Sequence, residues 1–367
     1  MAPGGAAHTV LAFANALQSR GHIVEIFCAN ASPDILVDNK ELKITLLNIP
    51  ISSTYYYWLL FPYWQVKINT ALKKYDSYIF FPQVFPSNWW IWIYKLFNKS
   101  QNSVWYCHEP SAFIHSKTWI NAIPNIPMRL AVKCLNPILK KLDLWLELQN
   151  NLVICNSSFT SDYYKSTYLR EPFTFIYPPC IHDSIQTETL KEEFIFTVCR
   201  LTKFKNVDNL INAYSKIKDL FEANKLIIAG DGEEKDSLIQ LSKKIGLQDK
   251  VIFLGKVDEK TLTQLYSKAK VTVITSVFEP FGLVPIESMN FGTPVIAHDS
   301  GGPKETIIHG KTGFLYNTFD DLVACIQSIL CMDENKYREM QKNCKDHAHN
   351  FGITSSVNKL EAAFRTL

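Results

Sequence analysis

The feature that most constrains the fold of this chain is a doubled pattern of strand, loop and helix in its C-terminal third. The apolar, β-branched run 271–275 has the length of a buried strand, and a short helical pattern covers 283–291. A second strand is predicted over 294–297, followed by the loop 299–302 and a helix that opens at Pro303, a favoured first helical residue. Two consecutive strand-loop-helix units of this kind predict an α/β layer architecture with a parallel sheet.

The first of these loops has the chemistry of an anion site. Gly282 lets a ligand approach the backbone, and the start of the following helix, at Leu283, offers unpaired N–H groups with a partial positive charge. Glu279 lies in the loop, and Glu287 is expected to overhang it because helical side chains lean toward the N-terminus. Two carboxylates would repel a phosphate, so we expect them to accept hydrogen bonds from sugar hydroxyls.

Two isolated glutamates would ordinarily be surface charges. Here Glu279 and Glu287 are separated by seven residues and accompanied by EPFG at 279–282, GTPVI at 292–296 and SGGP at 300–303. This combination resembles the signature of the retaining nucleotide-sugar glycosyltransferases of family 4. The resemblance implies the GT-B fold, with two facing doubly wound (Rossmann-like) α/β domains and the active site in the cleft between them.

The length of 367 residues suits two domains, each large enough for its own core. The proline-rich stretch 178–183, with the polar residues that follow it, is the best linker candidate. We therefore expect an acceptor-binding domain over 1–183 and a nucleotide-sugar-binding domain over 184–350. The resemblance implies that a last helix, within 351–367, crosses back to the first domain.

Composition excludes several classes of protein. The net charge is +3 and 20% of residues are charged, which gives no indication of nucleic-acid binding. Nine cysteines without a Cys-x-x-Cys pair indicate reduced thiols rather than a disulfide framework, and they form no metal-ligand pattern. The sequence shows no signal peptide and no apolar span of transmembrane length. We expect a cytoplasmic protein that uses neither a metal nor a cofactor beyond its sugar-nucleotide substrate.

The first half of the chain alternates between strand and helix patterns. Strands are predicted over 22–28, 44–49, 78–81, 104–107, 152–155 and 173–177. Gly4 and Gly5 precede a helix, and the resemblance implies that this glycine loop contacts the donor phosphate or the acceptor. In the family a first strand leads into that loop, and this sequence starts without it.

His108 follows the predicted strand 104–107. A single histidine is more often structural than catalytic. However, the carboxyl end of a parallel strand faces the crevice in which α/β sheets bind ligands. The resemblance implies a histidine here near the transferred sugar and the reacting bond, so His108 is a candidate catalytic residue.

The second half begins with a strand predicted over 194–199, followed by Arg200 and, five residues later, Lys205. Basic residues are ordinary on a surface, but the resemblance implies that these two bind the donor diphosphate. Because the sequence has no Asp-x-Asp metal motif, we expect the two cations and backbone amides to do so without a metal. The resemblance also implies a donor pocket lined by Gly230, Lys256, Phe281, Gly282, Leu283 and Glu287. The Gly-Asp-Gly at 230–232 alone would indicate only a turn.

Two segments, 55–64 and 89–97, are unusually aromatic. They are either buried helix faces or an exposed face resting on a membrane interface, where Trp and Tyr are favoured. The second alternative would suit a lipid-linked acceptor and a peripheral membrane location.

The implied reaction is hexosyl transfer from a nucleoside diphosphate sugar to a hydroxyl of a glycan or lipid-linked acceptor, with retention of configuration. The sequence YCHEP at 106–110 resembles GDP-mannose-dependent mannosyltransferases of lipid-linked oligosaccharide or polysaccharide assembly. No residue is an obvious covalent nucleophile, so front-face attack is the expected mechanism. The alternatives are a UDP-sugar donor, a GT-B epimerase and a non-catalytic sugar-nucleotide-binding subunit.

Overall fold

The computed structural model describes residues 4–48, 61–83, 87–116, 120–121, 123, 125–180, 190–217 and 225–367. The chain forms two compact units, Met1–Pro179 with Ile353–Leu367, and Cys180–Gly352. Most of the predicted linker and residues 55–60 of the first aromatic segment lie outside the described residues.

The strands of the first unit pair in parallel in two sheets. One sheet contains β1 (Glu25–Cys28) and β2 (Lys43–Leu46), and the other has the order β3-β4-β5-β6, from Ile79–Phe80, Asn102–Cys107, Leu152–Cys155 and Thr174–Phe175. The helices are α1 (Gly5–Ser19), α2 (Pro33–Asp38), α3 (Phe61–Leu72), α4 (Ser87–Phe97), α5 (Ala112–His115), α6 (Ile126–Glu147) and α7 (Ser158–Tyr168).

Helix α4 decides between the two alternatives for segment 89–97 in favour of a buried helix, with Phe97 at its end exposed. Trp89, Trp90, Trp92 and Tyr94 are all buried. Trp92 packs edge-on against Trp105 of β4, while Trp90 and Tyr94 belong to a separate core cluster on the other side of the helix. The helix is apolar around most of its circumference because it lies between two packed layers.

The second unit is a six-stranded parallel sheet flanked by helices. Its strands are β7 (Phe194–Val198), β8 (Lys225–Ala229), β9 (Val251–Gly255), β10 (Val271–Ile274), β11 (Val295–His298) and β12 (Gly313–Tyr316), in the order β12-β11-β10-β7-β8-β9. Its helices are α8 (Val207–Ile217), α9 (Lys235–Lys244), α10 (Glu259–Lys268), α11 (Leu283–Asn290), α12 (Pro303–Thr306), α13 (Phe319–Leu330) and α14 (Glu334–Ala348). The last helix, α15 (Ile353–Phe364), belongs to the first unit.

Both faces of the second sheet are buried. Ile195 of β7 packs into one core cluster, whereas its neighbours Phe194 and Phe196 pack into another on the opposite face. A strand covered on both faces is apolar at successive positions, which is why the sequence reads here as continuous apolar runs. Within the described part of the chain, every helix is too short or too polar to cross a bilayer.

Candidate active site

The strand order of the second unit fixes where its functional loops meet. β7 is paired with β10 on one side and β8 on the other, so the connections from β7 and β10 leave the sheet in opposite directions. In open parallel sheets the crevice at such a switch point, beyond the carboxyl ends of the strands, is the usual ligand site. The residues that follow β7 and β10 therefore form the candidate site.

Lys205 and Glu279 meet at this switch point. Lys205 ends a short 3-10 helix, Lys203–Lys205, that follows β7, and its ammonium forms an ion pair with the Glu279 carboxylate in the loop after β10. The Ser276 hydroxyl donates to the same carboxylate oxygen at 3.1 Å. The Lys205 and Glu279 side chains are 28% and 22% exposed, so a ligand can reach both.

Backbone contacts hold the two loops together. The Thr275 hydroxyl donates to the Lys205 carbonyl at 2.7 Å, and Asn206, in the left-handed conformation at φ +47°, ends the 3-10 helix. Arg200 is exposed, and its carbonyl accepts from the Thr202 N–H at 2.8 Å. Three charged residues predicted from sequence, Arg200, Lys205 and Glu279, are thus carried by two adjoining loops.

Gly301 and Gly302 pack directly against the backbone of the Glu279 loop. A Cβ at Gly301 would lie 2.4 Å from the Glu279 carbonyl oxygen, and one at Gly302 would lie 2.0 Å from that of Phe281. The Gly302 N–H donates to the Glu279 carbonyl at 2.8 Å. The loop after β11 therefore shapes the Glu279 loop after β10, since any side chain at Gly301 or Gly302 would displace the Glu279 loop.

Gly282, at φ +79°, makes the turn into α11, which begins at Leu283. Phe281 is buried at 2% exposure and fixes the loop to the core. The first backbone N–H groups of α11 thus start in the loop that carries Glu279, where a helix N-terminus favours an anion.

Glu287 is largely buried in α11, and one carboxylate oxygen accepts from the Tyr266 hydroxyl of α10 at 2.8 Å. Burial, followed by the Glu287 charge, raises the pKa of Tyr266 far above its ordinary value, so the tyrosine remains a donor. Glu287 thus connects α11 to α10 through a buried hydrogen bond.

Gly230 and Lys256 follow β8 and β9. The Gly230 N–H donates to the Gly255 carbonyl at 2.7 Å, and a Cβ at Gly230 would lie 1.9 Å from the Cys199 carbonyl oxygen. Gly230 is therefore required for the close packing of the loops after β7 and β8. Lys256 is exposed.

His108 lies in the first unit, directly after β4. Its Nε2 lies 3.2 Å from the Gln83 side-chain oxygen, and its ring meets Tyr106 edge-on at 5.1 Å. Burial lowers the pKa of His108 to about 4, so the imidazole is neutral at pH 7. Gly4 and Gly5 are exposed at the start of α1.

Sequence reasoning missed the partners of these residues: Thr275, Ser276, Gln83 and Tyr266. Ser276 is the one with a local signal, because it precedes Glu279 by three residues in the same loop. Among the described residues there is no group of three or more His, Cys, Asp or Glu side chains that could hold a metal.

Two family models match this chain. Residues 3–183 match the Glycosyltransferase Family 4 model, and residues 182–348 match the model of Glycosyl transferases group 1. A glycosyltransferase of Methanocaldococcus jannaschii is 44% identical over 134 residues, which is 36% of this chain and 34% of that protein. An alpha-1,3/1,6-mannosyltransferase of Dictyostelium discoideum is 28% identical, over 65% of this chain and 64% of its own. The chain thus spans less than two thirds of either relative.

The structure of Anabaena HepE in complex with UDP-glucose aligns with 100% of this chain and 97% of its own, at 20% identity and a TM-score of 0.77. This likeness, with the two parallel α/β units, shows the GT-B fold. Because the two family matches follow each other from residue 3 to residue 348 and the fold agrees, the chain belongs to the family 4 glycosyltransferases.

Proposed function

We propose that this protein is a retaining glycosyltransferase that moves mannose from GDP-mannose to a hydroxyl of a glycan or lipid-linked acceptor. The observation that carries the proposal is the accessible Lys205–Glu279 ion pair at the sheet's switch point, on loops shared with Arg200 and the start of α11. This arrangement combines cations for a diphosphate with a carboxylate for sugar hydroxyls.

The leaving group is a nucleoside diphosphate, whose negative charge grows as the glycosidic bond breaks. Arg200, Lys205 and the first N–H groups of α11 stabilise that charge in this proposal, with no metal taking part. Before the donor binds, Glu279 neutralises Lys205 and keeps its ammonium at the site. A diphosphate then competes for the ammonium, and Glu279 becomes available to accept from the sugar.

Retention is proposed to follow from front-face attack, in which the departing phosphate takes the proton of the acceptor hydroxyl. The neutral imidazole of His108 is assigned to a hydrogen bond with the transferred sugar rather than to a covalent role. Glu287 is assigned to the donor's ribose or phosphate surroundings, and Gly4, Gly5, Gly230 and Lys256 to further donor contacts. The anomeric configuration of the first-formed product, read by NMR, tests retention, and an adduct trapped on Glu279 would contradict front-face attack.

The choice of mannose rests on relatives named as mannosyltransferases. A UDP-sugar is the second candidate donor, because the structurally similar HepE was crystallised with UDP-glucose. A panel of GDP- and UDP-sugars, offered with a membrane lipid extract as acceptor, separates the two. We expect release of GDP from GDP-mannose that increases when the extract is added.

Glu279→Gln is the site variant for this panel, and Glu339→Gln, at an exposed position in the same unit, is its matched control. The site variant should lose turnover and the control should keep it. Release of UDP from a UDP-sugar would move the assignment to the second donor. Absence of turnover with every donor, in protein that still binds nucleotide, would contradict an enzymatic role and favour a binding subunit.

A further inference from the structure

Helix α6 presents a long apolar face to solvent. Seven large apolar side chains in and directly after it are between 38% and 65% exposed: Ile126, Leu130, Leu135, Ile138, Leu142, Trp145 and Leu148. At about 100° per residue, Leu135, Ile138, Leu142 and Trp145 fall within roughly 80° of one another around the helix. A contiguous exposed apolar surface of this kind marks an interaction site.

The opposite face of α6 is fixed to the core through Asp143. This carboxylate is fully buried and accepts hydrogen bonds from four side chains: Trp89, Ser111 at 2.9 Å, His115 at 2.8 Å and Tyr168 at 2.7 Å. A buried carboxylate with this many partners is costly to move. The rotation of the helix about its own axis is therefore set, and the apolar face cannot turn inward.

Glu147, one turn further on, is buried in the same way. It accepts from the Tyr164 hydroxyl and from Arg170 at 3.1 Å. Asp143 and Glu147 are the only acidic residues between 126 and 148, so the outward side of α6 carries no carboxylate.

At the same 100° per residue, Lys141 lies about 40° beyond Trp145, at the edge of the apolar face, whereas Arg129, Lys133 and Lys140 lie on the side of the helix away from that face. Lys133 and Lys141 are exposed, and Arg129 and Lys140 are half-buried. Lysine and arginine stems can lie along apolar surface while their charges reach outward. An apolar face with a tryptophan, together with a polar side rich in lysine and arginine, is the pattern of a helix that lies in a bilayer interface and attracts anionic lipid.

We propose that α6 docks this protein on an anionic phospholipid bilayer, with Leu135, Ile138, Leu142 and Trp145 inserted among the acyl chains. Charge favours a bilayer over a second copy of the chain, because two α6 helices packed against each other would bring their cations together, and the outward side of neither helix has a carboxylate to pair with them. The proposal goes beyond the sugar-transfer function, and its test uses no donor, so either can fail without the other.

The exposed cysteines allow a test without disturbing the apolar face. Cys134 and Cys331 are both exposed, and Cys134 lies on the outward side of α6 whereas Cys331 lies in the second unit. An environment-sensitive dye is attached to Cys134 in a Cys331→Ser protein, and to Cys331 in a Cys134→Ser protein. With phosphatidylcholine vesicles containing about 30 mol% phosphatidylglycerol, we expect a blue shift and quenching by brominated lipid at Cys134 alone.

Vesicle co-sedimentation of the full chain supplies the second measurement. Ile138→Glu and the pair Lys133→Glu with Lys141→Glu should each lower the partition coefficient at least about tenfold. The matched controls are Ile23→Glu, at an exposed apolar position of the same unit, and Lys40→Glu with Lys73→Glu, at exposed lysines outside α6. These controls should bind like the unaltered protein, and thermal melts check that every variant is folded.

Three results would overturn the proposal. Equal dye responses at Cys134 and Cys331 would show that α6 does not enter the bilayer. Vesicle binding unchanged by the α6 substitutions would assign it to another surface. The third is a protein that does not bind vesicles but forms a dimer in light scattering, with the dimer dissociated by Ile138→Glu. That result would assign the apolar face to a contact between two copies of the chain.

Discussion

At the scale of single residues, Lys203 and Lys205 form a natural matched pair. They lie in the same three-residue 3-10 helix, but Lys205 is the one that pairs with Glu279, and Lys203 is exposed. If Lys205 stabilises the departing diphosphate, Lys205→Ala should lower kcat roughly 100-fold or more, as removal of a preorganised donor does elsewhere. Lys203→Ala should leave kcat almost unchanged. Steady-state nucleotide release measures both, and equal losses would refute a specific role for Lys205.

His108 yields a prediction about stability and pH. Burial lowers its pKa to about 4 from an ordinary 6.5, so between these values the unfolded chain binds more protons than the folded one. The free energy of unfolding should therefore fall as the pH drops from 6.5 toward 4. His108→Gln should remove part of this fall, whereas His349→Gln, at an exposed position, should not. Urea unfolding at pH 7 and pH 5 gives the comparison, and an unchanged pH dependence in His108→Gln would contradict it.

Single residues also show what sequence can and cannot predict. Arg200, Lys205 and Glu279 could be singled out because their motifs resemble those of family 4, and their positions after apolar strands place them at one edge of a parallel sheet. The hydroxyls of Thr275 and Ser276 could not, because their partners depend on the exact approach of two loops. The burial of Asp143 is even harder to predict from sequence. An aspartate next to lysines is expected to face solvent, yet Asp143 is buried and accepts hydrogen bonds from four side chains that are distant in the sequence.

At the scale of elements, the strands predicted for the second unit are all present, with ends shifted by a residue or so. The predicted strand 294–297, for example, is Val295–His298. Strands buried on both faces are continuously apolar, which makes them conspicuous in a sequence. Segment 89–97 was ambiguous because an apolar helix looks alike whether protein or lipid surrounds it, and burial on both sides of α4 decides the case.

The close packing of Gly301 and Gly302 against the Glu279 loop can be tested by substitution. Gly302 has an ordinary helical φ of −62°, so the backbone conformation itself accepts alanine. The new Cβ would instead clash with the Phe281 backbone, 2.0 Å from its carbonyl oxygen and 2.2 Å from its Cα. We expect a loss of about 1–3 kcal/mol in unfolding free energy and weaker donor binding. Gly352→Ala is the matched control, because its Cβ would lie 3.3 Å from its nearest neighbour. Equal stability and binding in the two variants would contradict a role for the pair in shaping the loop.

At the scale of the whole molecule, the two units have separate cores. The clusters of the second unit draw on residues 194–337, and the first unit completes one of its clusters with Val357, Leu360 and Ala363 of α15. These side chains pack with Phe13 and Leu17 of α1, more than three hundred residues earlier in the chain. Periodicity predicts such a helix but carries no information about which core receives it.

Because α15 packs into the core of the first unit, a substitution near the C-terminus should destabilise the first unit rather than the second. Leu360 is fully buried, so Leu360→Ala should lower the unfolding free energy of the first unit by about 2–5 kcal/mol. Leu210→Ala, at an equally buried position in α8, should act on the second unit instead. Hydrogen exchange followed by mass spectrometry separates the units: Leu360→Ala should speed exchange in β4 and β5 while β7, β8 and β10 stay protected, and Leu210→Ala should do the reverse. Faster exchange in both sheets from either substitution would mean that the two units unfold together, in spite of their separate cores.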